Sequence, residues 1–172
     1  MGKVKIALGC DPVGYELKEI LKEYLITEKN AEIVLDVNPT FEESYNSPAD
    51  TTTRVCEAIQ KDECRLALLI CGTGIGFCHM ANCFWGIRAA NVSECYSAER
   101  ARKSADAQIL CLGARILASE AAKKVLDAWY DEPFSWTRES SVKNKKFFQE
   151  IEARQLEKPD FIAWGMGYEQ ED

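Results

Sequence analysis

One short segment combines a thiol, a hydroxyl and three glycines: residues 71–76, which read CGTGIG. Glycines at this density let the backbone approach a bound group closely and adopt positive φ. A helix that begins in such a turn directs free N–H groups into it, which suits a phosphate or an oxyanion in a transition state. The segment therefore predicts an anion cradle with Cys71 and Thr73 at its mouth. The backbone amides that would line the cradle are those of Gly72, Gly74, Ile75 and Gly76.

Three common uses of a glycine-rich turn do not fit this segment. A P-loop needs a lysine directly after its glycines, and none follows here. A dinucleotide-binding fingerprint needs a third small residue where this chain has Phe77. A nucleophile elbow of the form G-x-S-x-G is absent, and the sole histidine, His79, makes a cysteine hydrolase dyad improbable.

Proton transfer beside a carbonyl fits the segment better. The N-terminus of a helix stabilises a thiolate, and a thiolate can serve as a base near neutral pH. The cradle amides and the hydroxyl of Thr73 could then stabilise the enediolate that forms between two adjacent carbons of a sugar. This chemistry needs neither a metal nor an organic cofactor, so we expect none. A zinc site is also disfavoured because the chain has a single histidine.

The elements that would position these residues alternate along the chain. Apolar runs predict strands at 4–9, 31–37, 66–71, 86–92 and 108–113, with helices between them and after the last. Asp11-Pro12 and Ser47-Pro48 each place a capping side chain before a proline, which predicts helix starts. We expect an α/β fold of three αβα layers, Rossmann- or flavodoxin-like, with a five-stranded parallel sheet. Residues 142–156 predict a C-terminal helical extension.

Three strand ends carry the polar side chains of such a sheet. Ligands bind at the carboxyl ends of parallel strands, near the switch in strand order. These ends are residues 9–11, 70–72 and 92–94, so we expect Asp11 to lie near Cys71, although it could also serve only as a helix cap.

Composition excludes several classes of protein. The net charge of −7 argues against nucleic acid as a partner. No apolar run is long enough to span a membrane, and no signal-peptide pattern is present, so we expect no membrane partner. The eight cysteines include no C-x-x-C pair, which favours reduced thiols and a cytoplasmic location.

Several segments together resemble one enzyme family. The run 70–76, the pair Ala81-Asn82 and the run 86–89, with residues 9–11 and 93–98, closely resemble ribose-5-phosphate isomerase B and galactose-6-phosphate isomerase. The resemblance implies a cofactor-independent aldose–ketose isomerase with Cys71 as base, Thr73 at the enediolate and Asp11 at the sugar hydroxyls. It adds Asn82 and Arg138 as substrate-binding residues. The sugar-phosphate isomerase domain would then span 1–157. The aromatic, acidic composition of the tail at 158–172 predicts that it docks on a neighbouring subunit.

Four departures from the family pattern concern ring opening and phosphate binding. Pro12 replaces a histidine of the first motif, Ser104 falls where the family has its ring-opening histidine, and Ala105 replaces the following asparagine. Of two arginines that grip phosphate, only Arg138 has a counterpart, because the other falls near Ser141. The segments 144–146 and 158–161 resemble the B subunit of galactose-6-phosphate isomerase most.

The departures leave more than one hypothesis open. A different, related chain could supply the missing side chains in a hetero-oligomer, which the resemblance to the B subunit favours. A homodimer or tetramer could instead act on a short sugar phosphate that cannot close a ring. A third hypothesis is a non-catalytic or half-site subunit that only binds sugar phosphate, but such a subunit would have no need of the thiol at Cys71.

Overall fold

The computed structural model describes residues 2–156, in which five strands alternate with helices. The strands are β1 (Lys5–Cys10), β2 (Glu32–Asp36), β3 (Leu66–Cys71), β4 (Ala89–Asn91) and β5 (Ile109–Gly113). The helices are α1 (Tyr15–Thr27), α2 (Pro48–Gln60), α3 (Ile75–Ala81), α4 (Cys95–Lys103), α5 (Ser119–Tyr130) and α6 (Glu139–Leu156). A short 3-10 helix, Glu42–Tyr45, lies between β2 and α2. The predicted docking tail at 158–172 lies outside the described residues.

All five strands form one parallel sheet in the order β2-β1-β3-β5-β4. Strand β2 lies on one side of β1, and β3, β5 and β4 lie on the other side. The strand order therefore reverses between β1 and β3, which is the switch point. The register pairs Cys10 with Ile70, which places the next residues, Asp11 and Cys71, at the same edge of the sheet. The prediction of a three-layer fold with a five-stranded parallel sheet is confirmed.

Helices cover both faces of the sheet because its strands are apolar on both sides. On one face, α1, α4 and α5 pack against Leu8, Leu68 and Leu110. On the other face, α2 and α3 pack against Ala67 and Leu69. No helix among residues 2–156 has the length and apolarity needed to cross a membrane.

Two predicted helix starts near the site differ from the structure, and α6 begins at Glu139 rather than at the predicted residue 142. The predicted helix start at Asp11 is wrong, because Asp11 Oδ1 accepts a hydrogen bond from Gly14 N at 2.8 Å and closes a turn ahead of α1. The helix predicted from Ser97 begins earlier, at Cys95, where the carboxylate of Glu94 accepts hydrogen bonds from the amides of Tyr96 and Ser97. Asp11 thus forms a cap-like bond although regular helix begins only at Tyr15, whereas at α4 the cap is Glu94 rather than the predicted Ser97.

Strand β4 is shorter than the predicted 86–92. It lies at the edge of the sheet, where it pairs only with β5. The residues before it are held instead by the side chain of Gln108, whose Oε1 accepts from Arg88 N at 2.8 Å and whose Nε2 donates to Gly86 O at 2.9 Å. Gly86 has a φ of +74°, which ends regular strand geometry there.

Candidate active site

The sulfur of Cys71 sits at the carboxyl end of β3, in the switch region of the sheet. It accepts a hydrogen bond from the backbone amide of Gly74 at 3.1 Å, and the side chain is half-buried. Gly74 adopts a left-handed φ of +79°, and a Cβ there would lie 2.6 Å from Asn91 Oδ1. Only glycine fits both the positive φ and the lack of space, so a glycine at this position is needed to point its amide at the Cys71 sulfur.

The remaining cradle residues are open to solvent. The hydroxyl of Thr73 accepts from Ile75 N at 3.3 Å, and its side chain is exposed. A Cβ on Gly76 would meet no atom within 4 Å, so free space adjoins the first turn of α3. The first amides of any helix lack an intrahelical acceptor. Thiol, hydroxyl and amides thus face a space that could receive an oxyanion.

Asp11 joins this site from the neighbouring strand. Its backbone amide donates to Ile70 O at 3.1 Å, one residue before Cys71. Its carboxylate is partly exposed, although one oxygen is engaged by the amide of Gly14. Asp11 and Cys71 therefore follow neighbouring strands at the same edge of the sheet, and Asp11 also closes a local turn. Its role at the sugar hydroxyls stays a prediction.

Arg115 is a cation beside the cradle that the sequence analysis missed. Its amide donates to Gly72 O at 3.0 Å, and its side chain would lie 3.6 Å from a Cβ placed on Gly72. The residue is exposed, so its guanidinium is free to meet a ligand. The sequence did not reveal Arg115 because its position depends on strand order. Strand β5 ends at Gly113, shortly before Arg115, and lies next to β3. The predicted third strand end at 92–94 follows the edge strand β4 instead.

The predicted phosphate ligand Arg138 forms no side-chain hydrogen bond or ion pair with the cradle within the described residues. Its Nε donates to Ser140 Oγ at 3.0 Å, and its side chain is exposed. Ser141, at the place of the second family arginine, is fully buried. Ser104 ends α4 and brings neither a base nor a cation. At Ser104 and Ser141 this chain therefore has neutral hydroxyls where the family pattern has a histidine and an arginine.

Asn82 ends α3 rather than entering the cradle. Its Nδ2 donates to Cys78 O and to Ala89 O, both at 2.9 Å, and its Oδ1 accepts from Ala89 N at 3.0 Å. Both donors of the amide are thus bonded to backbone carbonyls. The role of Asn82 as a substrate ligand stays a prediction, and it would require these bonds to rearrange.

The other thiols differ sharply from one another. Burial raises the pKa of Cys10 and Cys56 to about 12 and that of Cys64 to about 11, which suits inert core residues. Cys78 is the exception, because a hydrogen bond from the Cys111 thiol, with smaller help from Asn91 and Asn82, lowers its pKa to about 7. Cys78 Sγ lies 3.4 Å from Ala89 O, against the edge strand. Cys78 is therefore the alternative candidate for the catalytic base, and a Cys78 variant is the control for a Cys71 variant.

Within residues 2–156, no group of three or more side chains of His, Cys, Asp or Glu is arranged to hold a metal ion. The expectation of a metal-free and cofactor-free reaction stays a prediction.

Comparison with known proteins agrees with this geometry. Residues 6–147 match the family model described as Ribose/Galactose Isomerase. The chain belongs to the ribose/galactose isomerase family. The structure of a ribose-5-phosphate isomerase B from Clostridium thermocellum superposes with a TM-score of 0.79 at 31% identity, covering 88% of this chain and 99% of that one.

Two curated relatives of the ribose/galactose isomerase family differ in their named substrates. Ribose-5-P isomerase B of Listeria innocua is 43% identical over 78% of this chain and 89% of its own length. D-erythrulose-4-phosphate isomerase of Pectobacterium atrosepticum is 38% identical over 76% of this chain and 85% of its own. The predicted family and enzyme class are confirmed, and the chain is a sugar-phosphate isomerase of this family.

One part of the resemblance is corrected. Galactose-6-phosphate isomerase subunit LacB of Clostridium acetobutylicum is only 27% identical over 78% of this chain. The prediction that this chain is most like that B subunit is therefore wrong. It relied on short segments near the C-terminus, whereas identity over the whole domain favours the ribose- and erythrulose-phosphate isomerases.

Proposed function

We propose that the protein interconverts an aldose phosphate and its ketose isomer through a cis-enediolate, with Cys71 as the base. The observation that carries this proposal is the hydrogen bond from the Gly74 amide to the Cys71 sulfur at the switch point of the sheet. That bond holds the sulfur at the mouth of the cradle, where it can receive a proton from a bound substrate.

The proposed reaction moves protons between groups that the site brings together. The Cys71 thiolate removes the proton from C2 of the aldose, and the electron pair forms the enediolate while the carbonyl oxygen gains negative charge. The Thr73 hydroxyl and the amides of Gly72 and Gly76 donate hydrogen bonds to that charge, while the Gly74 amide stays on the Cys71 sulfur. The thiol then returns the proton to C1, while a hydroxyl proton passes between the two oxygens, so the ketose forms without net gain or loss of atoms. Asp11 holds the sugar hydroxyls.

We further propose that the substrate is a four-carbon sugar phosphate of the erythrose/erythrulose 4-phosphate class. An aldose that carries phosphate on O4 has no hydroxyl free to close a five-membered ring, so it needs no ring-opening acid or base. The replacement of the ring-opening histidine by Ser104 supports this choice, as does the relative named for D-erythrulose 4-phosphate. Ribose 5-phosphate is the second candidate, since the 43% identical relative is named for it.

A substrate panel tests this proposal with the purified chain alone. We expect turnover of D-erythrulose 4-phosphate at ordinary enzyme rates, roughly 1–1,000 per second, and kcat/KM for ribose 5-phosphate lower by at least about tenfold, roughly 1.4 kcal/mol. A preference for ribose 5-phosphate would overturn the four-carbon assignment but not the isomerase. Failure with both, restored by a co-purified related chain, would support the hetero-oligomer instead.

Arg115 is proposed to pair with the phosphate group. A charge-assisted hydrogen bond contributes about 1.5–3 kcal/mol, so Arg115→Gln should weaken inhibition by inorganic phosphate roughly tenfold or more. Arg138→Gln is the comparison, because Arg138 was predicted for the same task but contacts only Ser140 among side chains of the described residues. If Arg138→Gln alone weakens inhibition, the phosphate lies elsewhere.

We also propose a homo-oligomer that works in the cytoplasm. Ile75 and Ile116, which are 50% and 58% exposed, flank the cradle and would be covered by a second copy. All eight cysteines are free, which suits a reducing compartment. Light scattering of the purified protein would give its mass in solution, and a monomer that isomerises at full rate would contradict the oligomer.

A further inference from the structure

The side chain of Asn82 joins helix α3 to the edge strand of the sheet. Its Oδ1 and Nδ2 bond to the N–H and C=O of the same residue, Ala89, at 3.0 and 2.9 Å. The second hydrogen of Nδ2 bonds to Cys78 O within the helix at 2.9 Å. One amide thus holds both backbone groups of a strand residue and a carbonyl of the helix at once.

This connection matters because β4 is a short edge strand. The strand spans three residues and pairs with β5 on one side only. Helix α3, for its part, begins directly at Gly74, whose carbonyl accepts from Cys78 N at 3.1 Å. Gly74 also packs tightly against Asn91, the last residue of β4. Any shift between α3 and β4 would therefore move the amide that bonds to Cys71.

Asn82 engages its whole side-chain amide with Cys78 and Ala89, at the far end of α3 from the cradle. It lies eight residues beyond Gly74, which corresponds to about 12 Å at the helical rise of about 1.5 Å per residue. We propose that Asn82 is a positioning residue that fixes α3 against β4 and so keeps the Gly74 amide aimed at the Cys71 sulfur. This inference rests on the proposed isomerase function of the site.

The test compares Asn82→Ala with Gln108→Ala. Gln108 is a matched control because its side-chain amide also bonds to two backbone groups at the start of the same strand region, those of Arg88 and Gly86, neither of which belongs to α3. Both variants should lose similar stability, measured as Tm. Only Asn82→Ala should lower kcat, by roughly tenfold, with KM within about twofold, because the misplaced amide acts mainly on the transition state.

Amide hydrogen exchange gives a readout that does not need activity. In Asn82→Ala, the amides of residues 74–81 should exchange at least about tenfold faster than in wild type, while Gln108→Ala leaves them unchanged. Unchanged exchange, or a kcat no lower than that of Gln108→Ala, would overturn the proposal. A raised KM at normal kcat would make Asn82 a ligand instead.

If even wild type isomerises no sugar phosphate, the proposed function fails, while hydrogen exchange still decides whether Asn82 anchors the helix.

Discussion

Gly74 shows how one residue's backbone conformation creates the site. Its left-handed φ turns an amide toward Cys71, and the space around its Cα is filled by Asn91, Leu112 and the carbonyl of Cys111. A side chain there would meet both torsional strain and a clash. Gly76, two residues later, has an open environment. The two glycines therefore serve different purposes, although the sequence presents them alike.

Gly74→Ala should lower the free energy of unfolding by at least about 1–2 kcal/mol, the cost of a left-handed conformation for an L-residue, and should reduce kcat strongly. Gly76→Ala should leave stability unchanged or raise it by up to about 1 kcal/mol, because alanine is the better helix former. Urea unfolding and steady-state kinetics measure both. Equal stability loss in the two variants would contradict the tight packing at Gly74.

The residue types of the site were predictable where one local segment carried them. Cys71, Thr73 and the glycines are contiguous, and Asp11 follows from the strand-end rule. Arg115 was missed because its place beside Gly72 depends on β5 lying next to β3, and strand order is a long-range property of the fold. The bonds of Asn82 were equally hidden, since they link a helix end to a strand seven residues later.

At the scale of elements, a buried ion pair anchors the β1–α1–β2 unit that carries Asp11. Lys18, on α1, is fully buried and bonds to Asp36 at 2.8 Å, and Lys22 bonds to the same carboxylate at 2.7 Å. Burial alone would raise the pKa of Asp36, but the hydrogen bonds from both lysines outweigh it and lower that pKa below its ordinary value. The carboxylate therefore stays charged in the fold.

Asp36→Asn should cost about 1.5–3 kcal/mol at neutral pH, because it weakens the charge-assisted hydrogen bonds from Lys18 and Lys22, while Glu19 still pairs with buried Lys18 at 2.7 Å. The lowered pKa means that the stabilisation is complete above the unfolded-state pKa of about 3.9 and is lost as pH falls through the folded-state pKa. The difference from wild type should thus be constant from about pH 5 to 8 and shrink below about pH 4. Urea unfolding across this range measures it.

The exposed pair of Glu57 and Lys61 provides the control for that series. Its atoms approach to 2.8 Å on the surface of α2, yet exposed pairs contribute at most about 1 kcal/mol. Glu57→Gln should therefore change stability little at any pH. If Asp36→Asn behaves like Glu57→Gln, the buried pair does not anchor the unit.

At the scale of the whole molecule, the alternation of strands and helices was enough to predict the layered fold. Strand order and the length of β4 were not predictable, because both depend on which apolar faces meet after collapse. The family followed from motifs spread over the domain, whereas short C-terminal similarities misled the choice within it. The proposed isomerase activity therefore depends on the site at the switch point, and above all on the thiol of Cys71.

Transfer of solvent deuterium into the sugar tests that thiol most directly. Cys71→Ser and Cys78→Ser form a matched pair, since each replaces a thiol by a hydroxyl that can keep the nearby hydrogen bond, and only one removes the proposed base. We predict that in D₂O Cys71→Ser abolishes both isomerisation and deuterium incorporation at C1 or C2, yet still binds inorganic phosphate. Cys78→Ser should retain both reactions. Undiminished incorporation by Cys71→Ser, or its loss only in Cys78→Ser, would contradict the assignment of Cys71 as the base.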